Sequence, residues 1–184
     1  GADKIIHVKN DSLSSFQPTL LCKAIKQVAS SEGSNTVIFS HDLTGKAIAS
    51  MYAATEKAGI VTGAVAVPEV DNGFIVKKAV FSGKAYAHVK INTDKKVISV
   101  NPNSIDKVEN KKSAETSEIN VDLGVGKIKV IEQKIELTDV PLTEAEKVVS
   151  AGRGLKGPEN WGIIEELAKE LGAATACSRP VSDM

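Results

Sequence analysis

Apolar residues follow a mixed strand and helix rhythm over the first third of the chain. Ile5-Ile6-His7-Val8 reads as a strand already in progress after Asp3-Lys4. Leu20, Leu21, Ala24, Ile25 and Val28 recur at helical spacing and predict a helix from Leu20 to Val28. Gly33 to Asn35 turns the chain, and Thr36-Val37-Ile38-Phe39 has the continuous apolar character of a buried strand. From Gly45 to Lys57 the helical rhythm returns, with Ala47, Ile48, Met51, Tyr52 and Ala54 or Thr55 facing inward. His41-Asp42 looks like its start, with Asp42 a candidate N-cap. Ile60 to Val67 is a further strand. Strands alternating with helices predict a parallel sheet with helices on its faces.

Alternation with a period of two then takes over. Phe74 to Val80, Lys84 to Ile91 and Lys96 to Val100 read as short strands, with turns at Ser82-Gly83 and Asn92-Thr93-Asp94. They predict an antiparallel meander added to the sheet. The stretch NPNSIDKVENKKSAETSEIN (101–120) is polar, lacks aromatic residues and reads as a surface loop. Ile128 to Leu137 alternates again and predicts a strand, followed by a linker from Thr138 to Glu146 with a domain boundary near Pro141.

The last segment reads as strand, glycine turn, helix, strand. Val148 and Val149 are broken by Gly152-Arg153-Gly154. Gly157-Pro158 marks a helix start, with Glu159 in the first turn. Ile163, Ile164, Leu167, Ala168 and Leu171 predict one buried stripe, and Gly172 a natural stop. Ala173 to Cys177 is a second strand, ended by Ser178-Arg179-Pro180. A βαβ unit has parallel strands and a right-handed crossover. Arg153 and the Ser178-Arg179 pair therefore fall just past the C-terminal ends of two strands, the edge where open α/β sheets bind ligands. Two arginines, free N–H groups and a helix start on one edge suit an anion, most simply a phosphate ester. The plainer alternative is an ordinary turn with two solvated arginines.

Composition narrows the classes. The chain has 184 residues, 42% hydrophobic and 25% charged, with 23 basic and 23 acidic side chains. A net charge of zero argues against broad nucleic-acid binding. No apolar run approaches the ~20 residues of a membrane span, which argues against direct membrane insertion. Cys22 and Cys177 form no framework or metal motif and read as buried free thiols, in keeping with a reducing compartment. His7, His41 and His88 match no metal spacing. Neither a Ser-His-Asp nor a paired-carboxylate arrangement is visible, so hydrolytic chemistry has no support. Asp183 reads equally as a ligand or a strand-end cap. Lys156 reads as a solvated turn lysine, and Trp161 as a core or partner-facing aromatic.

VVSAGRGLKGPENW followed by GAATACSRPVSD resembles the opening of the FAD-binding domain of electron transfer flavoprotein alpha subunits, of bacterial type. The usual form there is close to VVSGGRGL, a helix, then SRxxxD; Ala151 stands where many relatives carry glycine. IIHVKNDSL, TVIFS, GKAIASMYAA and FIVKKAVFSGKAYAHV resemble, less specifically, the family's amino-terminal domain. Met51 and Gly63 depart from it, where an arginine and an acidic residue are common. The resemblance implies an internal fragment. Residues 1–140 would be an amino-terminal α/β domain lacking its first strands, with a parallel sheet, flanking helices and an antiparallel hairpin addition. Residues 141–184 would be the opening βαβ unit of a second, truncated α/β domain that binds FAD. Apolar edges left by the missing strands would be covered by the missing segments or a partner.

The resemblance further implies an electron carrier rather than an enzyme, the chemistry residing in FAD. Arg153 would contact the FAD phosphate and ribose region, Ser178 would hydrogen-bond the cofactor, and Arg179 would sit near the isoalloxazine ring. A fixed cation there favours the electron-rich forms of the ring and raises the potential. Gly152 and Gly154 would let the backbone approach. Implied partners are an electron transfer flavoprotein beta subunit, acyl-CoA dehydrogenase-type flavoenzymes and a membrane quinone reductase. The implied compartment is the cytoplasm, or the mitochondrial matrix in a eukaryote. Other readings are a nucleotide-binding α/β protein and a cofactor-free partner-binding scaffold.

Overall fold

A computed structural model describes residues 1–132, 142 and 145–183. The chain divides into two compact units, 1–131 and 132–184.

The first unit is built on a five-stranded mixed sheet. Its elements are β1 (Lys4–Val8), α1 (Pro18–Ser31), β2 (Thr36–Ser40), α2 (Leu43–Glu56), β3 (Gly59–Ala64), β4 (Phe74–Val80), β5 (Ala85–Ile91), β6 (Lys96–Val100) and β7 (Glu115–Ile119). The main sheet runs β2-β6-β3-β4-β5, while β1 pairs with β7 in a separate parallel ribbon. The expected α/β class holds, with a parallel centre and an antiparallel β4–β5 hairpin.

The expected meander does not form as a whole. β6 leaves the hairpin and enters between β2 and β3, parallel to both. Its side chains explain why. Val97, Ile98 and Ser99 are each at most 1% exposed, so the strand is covered on both faces. Val97 packs with Ile48, Ala49, Tyr52 and Ala53 of α2 and with Cys22 and Ala29 of α1. Ile98 packs on the other face with Val61, Val76 and Ile91. Burying each large aliphatic side chain contributes about 1.5–3 kcal/mol, more than an edge position would return.

The polar stretch at 101–120 is not all loop. β7 lies within it and pairs with β1, placing Lys4 opposite Glu115 and Val8 opposite Ile119. Apolar support comes just past the strand, where Val121 and Leu123 pack with Leu20 and Ala24 under α1. The expected strand at 128–137 is absent over 128–132; the rest of it, and the boundary near Pro141, lie outside the described residues. β3 ends at Ala64 rather than Val67.

The inward face of α2 is rotated by about one residue from the expected one. Ile48 and Tyr52 are buried as expected, but Gly45, Ala49 and Ala53 replace Ala47 and Ala54. Small residues at this spacing bring the helix close to β2: a side chain at Gly45 would lie 2.0 Å from the Ser40 carbonyl. Asp42 caps the helix, its Oδ1 accepting from the Gly45 N–H at 2.6 Å, as the sequence predicts. An apolar cleft lined by Ile6, Val8, Leu21, Ile25, Val37 and Ile38 separates β1 from β2. Ile5 and Ile38 are 49% and 62% exposed, in line with uncovered strand edges.

The second unit contains β8 (Val148–Ala151), α3 (Gly162–Leu171), β9 (Ala174–Cys177) and a single helical turn, α4 (Arg179–Ser182). β8 and β9 are parallel. Pro158 opens a separate 3-10 turn at Pro158–Asn160, and α3 begins only at Gly162. A two-stranded sheet cannot cover the predicted stripe: Ala168 is buried, but Ile163, Leu167 and Leu171 are 66%, 49% and 45% exposed. Gly172 stops the helix at φ 59°, a left-handed conformation that suits glycine.

Candidate functional site

The candidate site is the C-terminal edge of the β8–β9 pair. Parallel register puts Val148 opposite Ala174 and Ala151 opposite Cys177. One further bond continues the ladder, from the Ser178 N–H to the Ala151 carbonyl at 3.0 Å. There the pairing stops, because the Ser178 carbonyl turns to accept from Val181 and Ser182 at 2.8 and 3.1 Å. The strands therefore end level, and each is followed by an arginine two residues later.

On the β8 side the chain folds into a 3-10 turn, Arg153–Leu155, closed by the Leu155 N–H on the Gly152 carbonyl at 3.0 Å. Asn160 Nδ2 holds the same turn through the Leu155 carbonyl at 2.9 Å. The amides of Gly152, Arg153 and Gly154 donate to no backbone carbonyl among the described residues, as the first donors of a helical turn do. A side chain built at Gly152 or Gly154 would meet nothing within 4 Å, so the space over this backbone is open. Neither glycine has a positive φ; it is the clearance that distinguishes them here. Lys156 follows with φ 70° and ends the turn.

On the β9 side Ser178 occupies the N-cap of α4, but its hydroxyl makes no capping bond and remains available. The Arg179 side chain is 91% exposed and meets Asp183 through Nε at 3.5 Å. An exposed pair of this kind is worth little and leaves most of the guanidinium's donors unused. Arg153 has no ion pair or hydrogen-bonded side-chain partner among the described residues. Asp183 acts as this counter-ion, while its N–H bonds the Arg179 carbonyl. Cys177 is half-buried and free, whereas Cys22 is fully buried.

The edge thus carries two underused guanidiniums, unpaired backbone donors, a free hydroxyl and open space. This donor set suits a bound phosphate diester and has the cationic character that an FAD pyrophosphate needs. Sequence spacing locates all five residues, Gly152, Arg153, Gly154, Ser178 and Arg179, on the one edge, and the β8–β9 register brings them there.

A second polar group occupies the corresponding edge of the first unit, which the sequence reading left out. His41 Nδ1 lies 2.8 Å from Ser99 Oγ, and the same oxygen accepts from the Gly63 N–H at 3.3 Å. Gly63 has φ 76° at an irregularity in the β3–β6 ladder. Burial, then Lys46 and Lys78, hold the His41 pKa below its ordinary value, with Asp42 opposing. The signal that could have found it is a serine flanked by Ile98 and Val100 within an apolar strand.

The electron transfer flavoprotein domain model matches residues 1–123, and the electron transfer flavoprotein FAD-binding domain model matches 141–184. The electron transfer flavoprotein subunit alpha of Bacillus subtilis is 30% identical over 187 residues, covering 100% of this chain and 57% of that protein. The subunit alpha of Syntrophomonas wolfei is 29% identical, covering 100% of this chain and 59% of its own length. Protein FixB of Escherichia coli is 29% identical over 80% of this chain and 48% of FixB. The chain therefore spans about half to three fifths of the curated relatives it matches. With two family models together covering most of its length, the chain belongs to the electron transfer flavoprotein alpha-subunit family.

Proposed function

We propose that this chain is the part of an electron transfer flavoprotein alpha subunit that begins the FAD site, with residues 1–140 as the amino-terminal domain and 141–184 as the opening of the FAD-binding domain. The observation that carries the proposal is the level ending of β8 and β9, which delivers Arg153 and Arg179 to one open edge. Bound FAD would supply the electron chemistry. The chain's own residues bind and tune: Arg153 and the amides of Gly152 to Gly154 neutralise phosphate charge, Ser178 offers a hydroxyl, and Arg179 sets positive charge beside the cofactor's redox end. Gly152 and Gly154 leave room for that approach.

In this reading the protein works with a beta subunit. It takes electrons from flavin dehydrogenases such as acyl-CoA dehydrogenases and passes them to a membrane quinone reductase. It works in the cytoplasm, or in the mitochondrial matrix in a eukaryote. No helix among the described residues is long and apolar enough to cross a membrane.

The test is the visible absorbance spectrum of the full-length protein purified with whatever chain accompanies it. A flavin spectrum with a second chain present is the expected result. A colourless, folded, solitary protein overturns the reading and returns Arg153 and Arg179 to solvated turn residues.

A further inference from the structure

The β4–β5 hairpin has two unlike faces. Val76 and Ile91 point into the core with Val61 and Ile98. The outward face carries the cross-strand pairs Ile75 with Lys90, Lys77 with His88, and Ala79 with Tyr86. Charge on this hairpin is one-sided. Residues 74–91 contain Lys77, Lys78, Lys84 and Lys90 and not one Asp or Glu, in a chain whose 23 basic and 23 acidic residues otherwise balance. None of these lysines makes an ion pair among the described residues. Two of them are nonetheless positioned. Lys77 Nζ sits 4.4 Å from the centroid of the Tyr86 ring, and the Lys90 stem lies across Gly73, where an added side chain would meet its Cε at 2.5 Å.

β5 is also the last strand of the sheet. On its side away from β4, alternate backbone N–H and C=O groups from 85 to 89 have no partner among the described residues. Ala87 and Val89 are half-buried on the inner face, and Tyr86, His88 and Lys90 are exposed on the outer one. An added strand would therefore meet an apolar row on one face and, on the other, a polar row carrying Lys90, with Lys77 behind it on β4 and no acidic side chain on the hairpin.

We propose that the β5 edge binds an acidic extended segment of a protein partner by strand addition. Its acidic residues would lie beside His88, Lys90 and Lys77, and its alternate apolar residues beside Ala87 and Val89. Backbone pairing supplies affinity, and the charge pattern supplies selection. A second copy of the same edge is rejected, because its lysines would face these lysines. Two outward lysines, Lys77 and Lys90, on a neutral chain are too few to hold a nucleic-acid backbone, whose binding rests on many phosphate contacts. The surface lies in the first unit, and its use does not depend on bound flavin.

The experiment uses a fluorescent octapeptide alternating Glu and Val, read by anisotropy, against a peptide of the same composition with four Glu followed by four Val. The alternating peptide is expected to bind with a Kd below about 1 mM and at least ~10-fold tighter than the block peptide, a preference worth about 1.4 kcal/mol. It should weaken with added salt and slow hydrogen exchange at 85–89. Lys77→Glu with Lys90→Glu should abolish binding while leaving the circular dichroism unchanged, and N-methylation of the peptide backbone should do the same. Equal binding of the two peptides, binding only of phosphatidylserine vesicles or of a single-stranded oligonucleotide, or no peptide binding at about 1 mM would each overturn the proposal.

Discussion

His41 Nδ1 lies 2.8 Å from Ser99 Oγ, and through that oxygen the imidazole is tied to the Gly63 amide in the neighbouring strand. Burial, then the nearby Lys46 and Lys78, favours the neutral imidazole.

Stability should therefore depend on pH near neutrality. The His41 pKa is lowered in the folded protein, so the unfolded chain binds the extra proton first. The stabilisation is present above the unfolded value of about 6.5 and is lost as pH falls through the lower folded value. Melting curves at buffer points about a unit apart, from about pH 7.5 to about pH 5, check this. The wild-type protein should lose stability over that window, and His41→Asn should lose less. Equal slopes for the two proteins would refute it.

A second, more acidic dependence arises at Glu56. Its carboxylate, with only 6% of the side chain exposed, meets Lys26 Nζ at 2.7 Å and also Lys95, joining α1, α2 and the turn before β6. The hydrogen bonds from Lys26 and then Lys95 lower its pKa. This contribution is present above the unfolded carboxylate value of about 4.3 and is lost as pH falls through the depressed folded one. Glu56→Ala should cost about 1–2 kcal/mol at neutral pH, discounted for the half-exposed lysines. Urea unfolding at pH 7 and pH 3 should show the difference shrinking in acid.

The β4–β5 tip offers a stabilising change. Phe81 and Ser82 have φ 51° and 55°, and the Gly83 N–H returns to the Val80 carbonyl at 3.1 Å. Phe81, Ser82 and Gly83 all have positive φ in the four-residue loop between the paired Val80 and Ala85, a backbone that asparagine and glycine adopt at less cost than phenylalanine and serine. Phe81→Asn with Ser82→Gly should raise stability by about 1–2 kcal/mol, since the Phe81 side chain is 79% exposed and loses little packing. No rise in the denaturant midpoint would show that the ring makes a contact worth as much as the turn.

At the proposed cofactor edge, Arg179→Ala in the full-length protein should weaken FAD by about 10- to 150-fold, the worth of a charged hydrogen bond, or lower its midpoint potential. The fold should be untouched, because the only ion pair lost among the described residues is the exposed one to Asp183. Titration with FAD and a spectroelectrochemical midpoint decide it, and no change in either removes Arg179 from the site.

Local signals were legible where one element decided its own fate. Asp42 as a cap, Gly172 as a stop and the glycine turn after Val149 all follow from backbone chemistry within a few residues. The strand-end placing of Arg153 and Arg179 followed because a βαβ unit leaves little choice of handedness or direction. What failed depended on distant partners. Lys96 to Val100 looks like the third strand of a meander until Val97 and Ile98 are both required to be buried. Glu115 to Ile119 looks like loop because its partner is more than a hundred residues earlier. The stripe on α3 reads as core, yet a two-stranded sheet has no surface wide enough to cover Ile163 and Leu167.

The position of β6 bears on how the chain acquires its structure. With Thr36 opposite Lys96 and Gly59 also opposite Lys96, neither β2 nor β3 has its central neighbour until the ribosome has made residue 100. β1 waits longer still, for Glu115 to Ile119. Helices α1 and α2 and the β4–β5 hairpin can form early from local contacts, but the parallel centre must close by joining segments far apart in sequence, which is slow. During that interval β2 stands unpaired and β3 lacks its neighbour on the β6 side, the moment at which such a protein is most exposed to aggregation and most in need of a chaperone.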